Sequence, residues 1–474
     1  MSSRAHNGPA SPESRPPHGR ATGAPPPAEQ SSGVGAQSQS PTALTARGRA
    51  AVAASRLATW ASRVSGRGSG GMIGGLVALK LDPGLMAQLA AGRRSALVTG
   101  TNGKSTTTRM LTAALATTGP VASNANGDNM DAGIVSALSA DRTARLAAIE
   151  VDELHTPAVA ENTRPEAIVL LNLSRDQLDR VGEINSIERR LRAGVAAQPQ
   201  ATLVANCDDV MITSVAYDNS SVVWVAAGAP WSGDSVSCPR TGEPITRTVD
   251  GTGAVRWRST APLPDGREFA RPEPDWWVDD EAIHGPDGFS APMRLAIPGR
   301  ANRGNAAQAV AAAVAMGADP AAAVRAVEGV DDVAGRYSTV DVDGRAAHLL
   351  LAKNPAGWQE ALGMIDTYAD GLVIAVNGQT GDGVDLSWLW DVRFESFEGV
   401  SVYASGERAA DLSVRLTYAG IDHVLEPDPL AAIRRCPAGR VEVLANYTAF
   451  RDLGRAIAAA GFGPAASDAK EQQR

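Results

Sequence analysis

The run Val98-Thr99-Gly100-Thr101-Asn102-Gly103-Lys104-Ser105-Thr106-Thr107-Thr108 constrains this chain more than any other feature. An apolar segment, Ser95–Val98, leads into it, and a helical pattern over Thr107–Thr117 follows. Strand, glycine loop, Lys-Ser and helix in that order form a phosphate cradle. Backbone N–H groups and a helix N-terminus face the anion, Lys104 reaches the β/γ-phosphates, and Ser105 is placed to hold Mg²⁺. Only Thr101 and Asn102 separate Gly100 from Gly103, where the common P-loop has four residues, so the loop is of a shorter type.

A phosphate loop of this kind needs a parallel sheet behind it, and the pattern on either side supplies one. Leu146–Val151, Ala167–Leu173 and Ala201–Asn206 read as buried strands, each followed by polar residues and helix, as in a doubly wound sheet with ligands at the strand carboxyl ends. Residues 230–290 break the alternation with Gly, Pro, Trp and short alternating runs (Ala254–Trp257, Trp276–Val278), which predicts a small β insertion. An alanine-rich helix over Asn305–Met316 follows. A second βα series then has strands at His348–Ala352, Leu372–Asn377, Val400–Ala404 and Val441–Ala445. The expected organisation is α/β: a central domain over 46–298 and a Rossmann-like domain over 299–465, divided at Pro298-Gly299, with polar tails at 1–45 and 466–474.

Composition narrows the partners. The net charge of −8 argues against broad nucleic-acid binding, and no apolar run approaches the roughly 20 residues of a membrane helix. Residues 1–45 are rich in Ser, Pro, Gly and Ala and cannot bury enough surface to offset chain entropy, so they read as disordered. Cys207, Cys238 and Cys436 are far apart with no CxxC pair, which suits a reducing compartment.

Further motifs sit where chemistry would need them. Glu150-Val151-Asp152-Glu153 ends a strand on the loop's side of the sheet, where Glu150 can share a Mg²⁺ with Ser105. Asn172-Leu173-Ser174-Arg175-Asp176-Gln177 follows the next strand. Pro298-Gly299-Arg300-Ala301-Asn302-Arg303-Gly304-Asn305-Ala306-Ala307 opens the alanine-rich helix, and an Asn-capped helix would account for it locally. None of the cysteines sits on a tight turn beside a histidine, so an activated cysteine nucleophile is not visible in the sequence.

The short loop resembles that of the Mur ligase and folylpolyglutamate synthase superfamily, which makes amide bonds through acyl phosphates. The resemblance implies a Mur ligase-type central P-loop domain binding ATP and Mg²⁺ through Gly100, Thr101, Asn102, Gly103, Lys104, Ser105 and Thr106. Glu150 would be the metal carboxylate, Asn305 the adenine contact, and Arg336 of Gly335-Arg336 a phosphate contact. Where the superfamily places a metal-binding histidine two residues beyond the arginine, this chain has Gln177, a weaker ligand.

Three C-terminal segments are unlike the ordinary muropeptide ligases: Lys353-Asn354-Pro355-Ala356-Gly357-Trp358, Asp382 through Val392, and Asn446-Tyr447-Thr448-Ala449. They resemble MurT-type synthetase subunits of lipid II isoglutaminyl synthase. That resemblance implies amidation of the D-Glu α-carboxylate of lipid II at the cytoplasmic membrane face, with a GatD-type glutaminase as partner subunit. It further implies an aspartate lent to the partner's Cys-His-Asp triad. Asp385 and Asp391 are the candidates, and the aromatic-flanked Asp391 offers firmer anchoring. Alternatives are a stand-alone Mur-type or polyglutamate ligase using an amino acid, and a non-catalytic nucleotide-binding scaffold; retention of Lys104, Ser105 and Glu150 disfavours the scaffold. Family members often carry a four-cysteine zinc ribbon in the insertion. Here Cys238-Pro239-Arg240-Thr241 lacks its second cysteine and the region around Phe269 has none, so no zinc is expected, His284 being one ligand at most.

Overall fold

The structure, a computed structural model, describes residues 44–64, 71–124, 127–175, 184–229, 231–251, 255–330, 337–366, 368–395 and 400–462. Strands of the first half are β1 (Arg94–Thr99), β2 (Val121–Ser123), β3 (Leu146–Glu150), β4 (Ala167–Leu170), β5 (Thr202–Asn206), β6 (Val222–Ala226), β7 (Ile245–Val249), β8 (Val255–Ser259), β9 (Trp276–Val278), β10 (Ala282–His284) and β11 (Ser290–Pro292). Those of the second half are β12 (Tyr337–Val342), β13 (Arg345–Leu351), β14 (Gly371–Ala375), β15 (Ser401–Ser405), β16 (His423–Leu425) and β17 (Gly439–Ala445).

A nine-stranded sheet in the order β11-β10-β9-β6-β5-β4-β1-β3-β2 forms the first layer system, parallel from β2 across to β9 and antiparallel at its β10–β11 edge. The pleat sorts side chains onto two faces. Leu97, Ile149, Ile168, Leu170 and Leu203 enter one core, while Ala96, Val98, Ala148, Val169 and Val204 enter the other. Both faces are buried, which is why these strands read as continuous apolar runs. β1 lies between β3 and β4, so the loop leaving its carboxyl end has a strand end on each side.

The domain division falls later than Pro298. The helices Arg300–Ala315 and Pro320–Glu328 cover the first sheet, with Ala306, Val310, Ala313, Val324 and Val327 sharing a core with Val98, Met110 and Val169. The second sheet begins only at Tyr337. Pro298-Gly299 marks a helix start instead, Gly299 supplying a positive φ of 100°. The insertion is likewise split. β7 and β8 form a separate hairpin, whereas β9 to β11 extend the main sheet.

The second sheet runs β12-β13-β17-β14-β15-β16, parallel except for the β12–β13 hairpin, with helices on both faces. Two residues of the expected tail already belong to the fold: Leu44 is buried in the first core and Thr45 bonds Gln88. The expected tails otherwise lie outside the described residues. A hairpin of helices, Ala46–Val64 and Gly71–Leu81, precedes β1. Gly74 meets the Ser55 and Thr59 side of the first helix and Gly75 the backbone of Ala132. A Cβ at either would strike its neighbour, and this close approach accounts for glycine at both positions.

Candidate nucleotide and amidation site

The loop after β1 is held open by its neighbours. Gly100 has a φ of 140°, and a Cβ there would lie 2.8 Å from Leu171 and 2.9 Å from the Asn172 carbonyl, so glycine is required. Thr101 N–H donates to the Asn172 carbonyl at 2.9 Å. Asn172 then clasps Asn102, accepting its N–H at 2.9 Å and donating to its carbonyl at 3.1 Å. The Ser174 N–H donates to the Thr101 hydroxyl at 3.0 Å. With these bonds made elsewhere, the first-turn amides of the helix Lys104–Ala116, entered through Gly103 at a φ of 83°, are left to face an anion.

Lys104 is buried and folded back, donating to the carbonyls of Gly100 at 2.5 Å and Thr101 at 3.2 Å and lying 3.3 Å from Glu153. Glu153, not Glu150, is its acidic neighbour. Glu150 stands beside Val98 in register, at the end of β3, and is 1% exposed. Its Oε1 is 3.4 Å from Asn129 Nδ2, but its Oε2 is buried with no hydrogen-bond partner among the described residues. A buried carboxylate oxygen left bare is costly unless a cation or water meets it. The fit to Mg²⁺ is therefore good: one carboxylate, the Ser105 hydroxyl, phosphate oxygens and waters are the usual donor set. Among the described residues there is no cluster of three or more His, Cys, Asp or Glu able to hold a metal. Asn124 fixes Glu150 by taking its N–H at 2.7 Å and donating to its carbonyl at 2.8 Å. Sequence reasoning gives no role to Asn124, Asn129, Glu153 or Asn172; the signals for them are the Asn-rich run from 124 to 129 and the strand-end segments that hold Glu153 and Asn172.

Asn305 lies against the loop, its Oδ1 2.7 Å from where a Cβ on Gly103 would be. Neither Asn302 nor Asn305 caps its helix, since Gly299 occupies that position, so capping does not explain them. Asn302 donates to the Pro298 carbonyl at 2.6 Å, and Asn305 remains turned to a cleft that it lines with Asn102, Asn206, Asp209, Trp231 and Glu360. Asp209 caps the helix Val210–Ala216, taking the N–H of Ile212 at 2.8 Å and of Leu173 at 3.2 Å; burial pushes its carboxyl up to about 6. Arg336 and Gln177 lie outside the described residues.

Of the three C-terminal segments, Lys353–Trp358 reaches this loop. Asn354 caps the helix Pro355–Leu362 and pairs with Asn102 through reciprocal amide contacts of 3.3 Å. Lys353 sits 5.2 Å over the ring of Tyr447, and Asp382, buried, takes the Thr448 N–H at 2.8 Å and its hydroxyl. Trp358 and Trp388 are core, ring centroids 5.3 Å apart. Trp390 is exposed and packs on Tyr418 at 5.4 Å. Asp391 follows the 3₁₀ turn Ser387–Trp390, and its carboxylate lies 3.3 Å from Arg175, which also binds Asp234. Asp385 faces solvent and is used locally: hydrogen bonds from Ser387 hold its carboxyl below the usual range.

The thiols are inert by environment. Burial pushes Cys207 far up and Cys436 up to about 11. Cys238 packs among Val210, Ile245, Trp257, Leu263 and Phe269, an apolar core at the place of a zinc ribbon's ligands.

Residues 98–235 match the Mur ligase middle domain, and residues 351–450 match the MurT ligase C-terminal domain. The lipid II isoglutaminyl synthase (glutamine-hydrolyzing) subunit MurT of Streptococcus pneumoniae is 27% identical over 81% of this chain and 92% of its own length. The same subunit of Staphylococcus aureus is 26% identical over 85% and 96%. Among solved structures, a pseudomurein peptide ligase type C from Methanothermus fervidus (TM-score 0.57, 16% identity, 76% of this chain and 77% of that one) shares the fold. So does MurF from Acinetobacter baumannii (TM-score 0.53, 17% identity, 79% and 78%). With a Mur ligase middle domain and a MurT ligase C-terminal domain in succession, and MurT subunits matched along four-fifths of its length, this chain belongs to the Mur ligase family and within it to the MurT type.

Proposed function

We propose that this chain uses ATP to amidate the α-carboxylate of D-glutamate in the lipid II stem peptide, giving D-isoglutamine, with ammonia supplied by a GatD-type glutaminase subunit. The observation that carries the reading is the contact between Asn354 and Asn102, which sets a MurT-type segment directly on the phosphate loop. No helix among the described residues is long and apolar enough to cross a membrane, so lipid II would be met at a surface.

A carboxylate resists ammonia until one oxygen becomes part of a leaving group. Transfer of the γ-phosphoryl group to that oxygen, with ADP departing, gives an acyl phosphate. Ammonia then adds at the acyl carbon, phosphate leaves and a proton passes to solvent. The chain's part is position and charge. Lys104 would exchange two neutral carbonyls for the transferring phosphoryl group, while Glu153 keeps its ammonium at the loop. Asn305 and the first-turn amides 104–106 would hold the nucleotide's two ends. Ser105 and Glu150 would hold Mg²⁺, whose charge would offset that of the phosphates.

Asp391 is the residue we assign to the partner's triad, orienting its histidine. Its carboxylate is half-exposed beside the exposed Trp390 and Tyr418, whereas Asp385 is committed to its own turn. Incubation of lipid II with ATP, Mg²⁺ and ammonium chloride should yield amidated product, and glutamine should replace ammonium only when the glutaminase is added. An ATPase that depends on an amino acid and leaves lipid II unamidated would replace this reading with a stand-alone ligase.

A further inference from the structure

The helical hairpin ahead of β1 carries a surface that the nucleotide site does not use. The helix Ala46–Val64 buries Gly48, Ala51, Val52 and Ser55 and turns Leu57, Trp60 and Val64 outward at 68%, 62% and 69% exposure. Spaced three and four residues apart, these three share one face. Ile73 and Leu76 of the partner helix Gly71–Leu81 are exposed as well, 42% and 58%, so both helices are apolar toward the end where they are joined.

Charge identifies what would cover them. From Leu44 to Leu81 there are five arginines (47, 49, 56, 63 and 67) and Lys80, and no acidic residue before Asp82, in a chain of net charge −8. Arg47 and Arg49 bond the carbonyls of Leu81 and Leu44, neutral partners that leave their charge intact. Residues 1–43 hold only Met1 and Val34 as large apolar side chains, and so lack the chemistry to cap the surface. A helix pair with an outward Trp-Leu face and only cationic side chains has the composition of an interfacial, anionic-lipid-binding element.

We infer that this hairpin docks the protein on an anionic bilayer, seating Leu57, Trp60 and Val64 among the acyl chains with Arg47, Arg49 and Arg56 at the headgroups. The inference goes beyond the amidation reading and is measured without it. The full chain is sedimented with vesicles of phosphatidylglycerol and phosphatidylcholine, and with phosphatidylcholine alone, at low and high salt. The expected result is binding to the anionic vesicles only, weakened at 1 M salt, where the screening length is about 3 Å. Leu57→Ser with Trp60→Ser should lower the partition by about tenfold or more, and Arg56→Glu by less. Thermal melting should be unchanged, because these side chains are exposed. Absence of binding to the anionic vesicles, or equal binding by the double variant, overturns the inference. So does self-association in solution that the double variant abolishes, which would assign the face to a second copy. A chain that amidates lipid II in detergent but ignores vesicles would sink this inference and leave the amidation reading standing.

Discussion

Asp391→Asn separates two roles that the structure offers the same carboxylate. As a link between domains, Asp391 contributes little: it lies 3.3 Å from Arg175, with both side chains 37% exposed. Pairs this accessible are worth about 0.2–1 kcal/mol, and Arg175 keeps its second partner, Asp234, when Asp391 is neutralised. On that account alone the variant loses at most about fivefold in any step that depends on the domain arrangement, and its melting temperature falls by no more than about 4 °C. As the third member of the partner's triad its loss would be of another order, up to about 10⁴-fold, because the imidazole loses its orientation. The assay is amidation of lipid II by the purified two-subunit complex, run once with glutamine and once with excess ammonium chloride. Glutamine-dependent turnover should collapse while ammonium-dependent turnover stays within about fivefold of the parent, since free ammonia bypasses the triad. Equal losses in both arms would refute the division of labour and move Asp391 into the synthetase site. Normal turnover in both, with Asp385→Asn defective on glutamine alone, would show that the other carboxylate is the one lent.

Three further outcomes follow from the site. Lys104→Ala should lower ammonium-dependent amidation by about 10³-fold or more while the chain stays folded, and near-normal turnover would remove the loop from the reaction. Asp209→Asn keeps the capping oxygen but cannot ionise. The native carboxyl titrates near 6 against an ordinary value of about 3.9, so its protonated contribution is complete below pH 4 and is lost as pH rises through 6. The variant should therefore gain about 2–3 kcal/mol relative to the parent between pH 4 and pH 7. Melting curves with a constant difference across that range would contradict it. Elemental analysis of the purified protein should find no stoichiometric zinc, because Cys238 is enclosed by apolar side chains; one zinc per chain would show that the insertion binds metal after all.

The phosphate loop was legible because its glycines answer a backbone demand: Gly100 and Gly103 both take positive φ, and each has a neighbour where a Cβ would stand. The strands β1, β3, β4 and β5 were legible for a related reason, burial on both faces leaving unbroken apolar runs. The domain boundary was misplaced because Pro298-Gly299 breaks the chain like a linker, and nothing local records that the alanine-rich helix beyond it returns to the first sheet. Val121–Ser123 and His423–Leu425 are too short to carry a period and exist only through pairing with β3 and β15. In the site, Lys104 and Glu150 were visible from motif and strand end, but the pairing of Lys104 with Glu153 was not. Which of two nearby carboxylates reaches an ammonium depends on side-chain paths that the sequence does not state.

The paired amides of Asn102 and Asn354 carry a thermodynamic consequence. They join one of the two residues between the loop glycines to the cap of a helix in the other domain, so nucleotide occupancy and the set of that domain are not independent variables. If ATP favours one disposition of the second domain by some factor, a subunit that grips that disposition must raise ATP affinity by the same factor. Titrating nucleotide with and without the glutaminase, and glutaminase with and without nucleotide, measures one coupling constant twice. Asn354→Ala should shrink both values together, because the information passes through two side-chain amides and a helix cap.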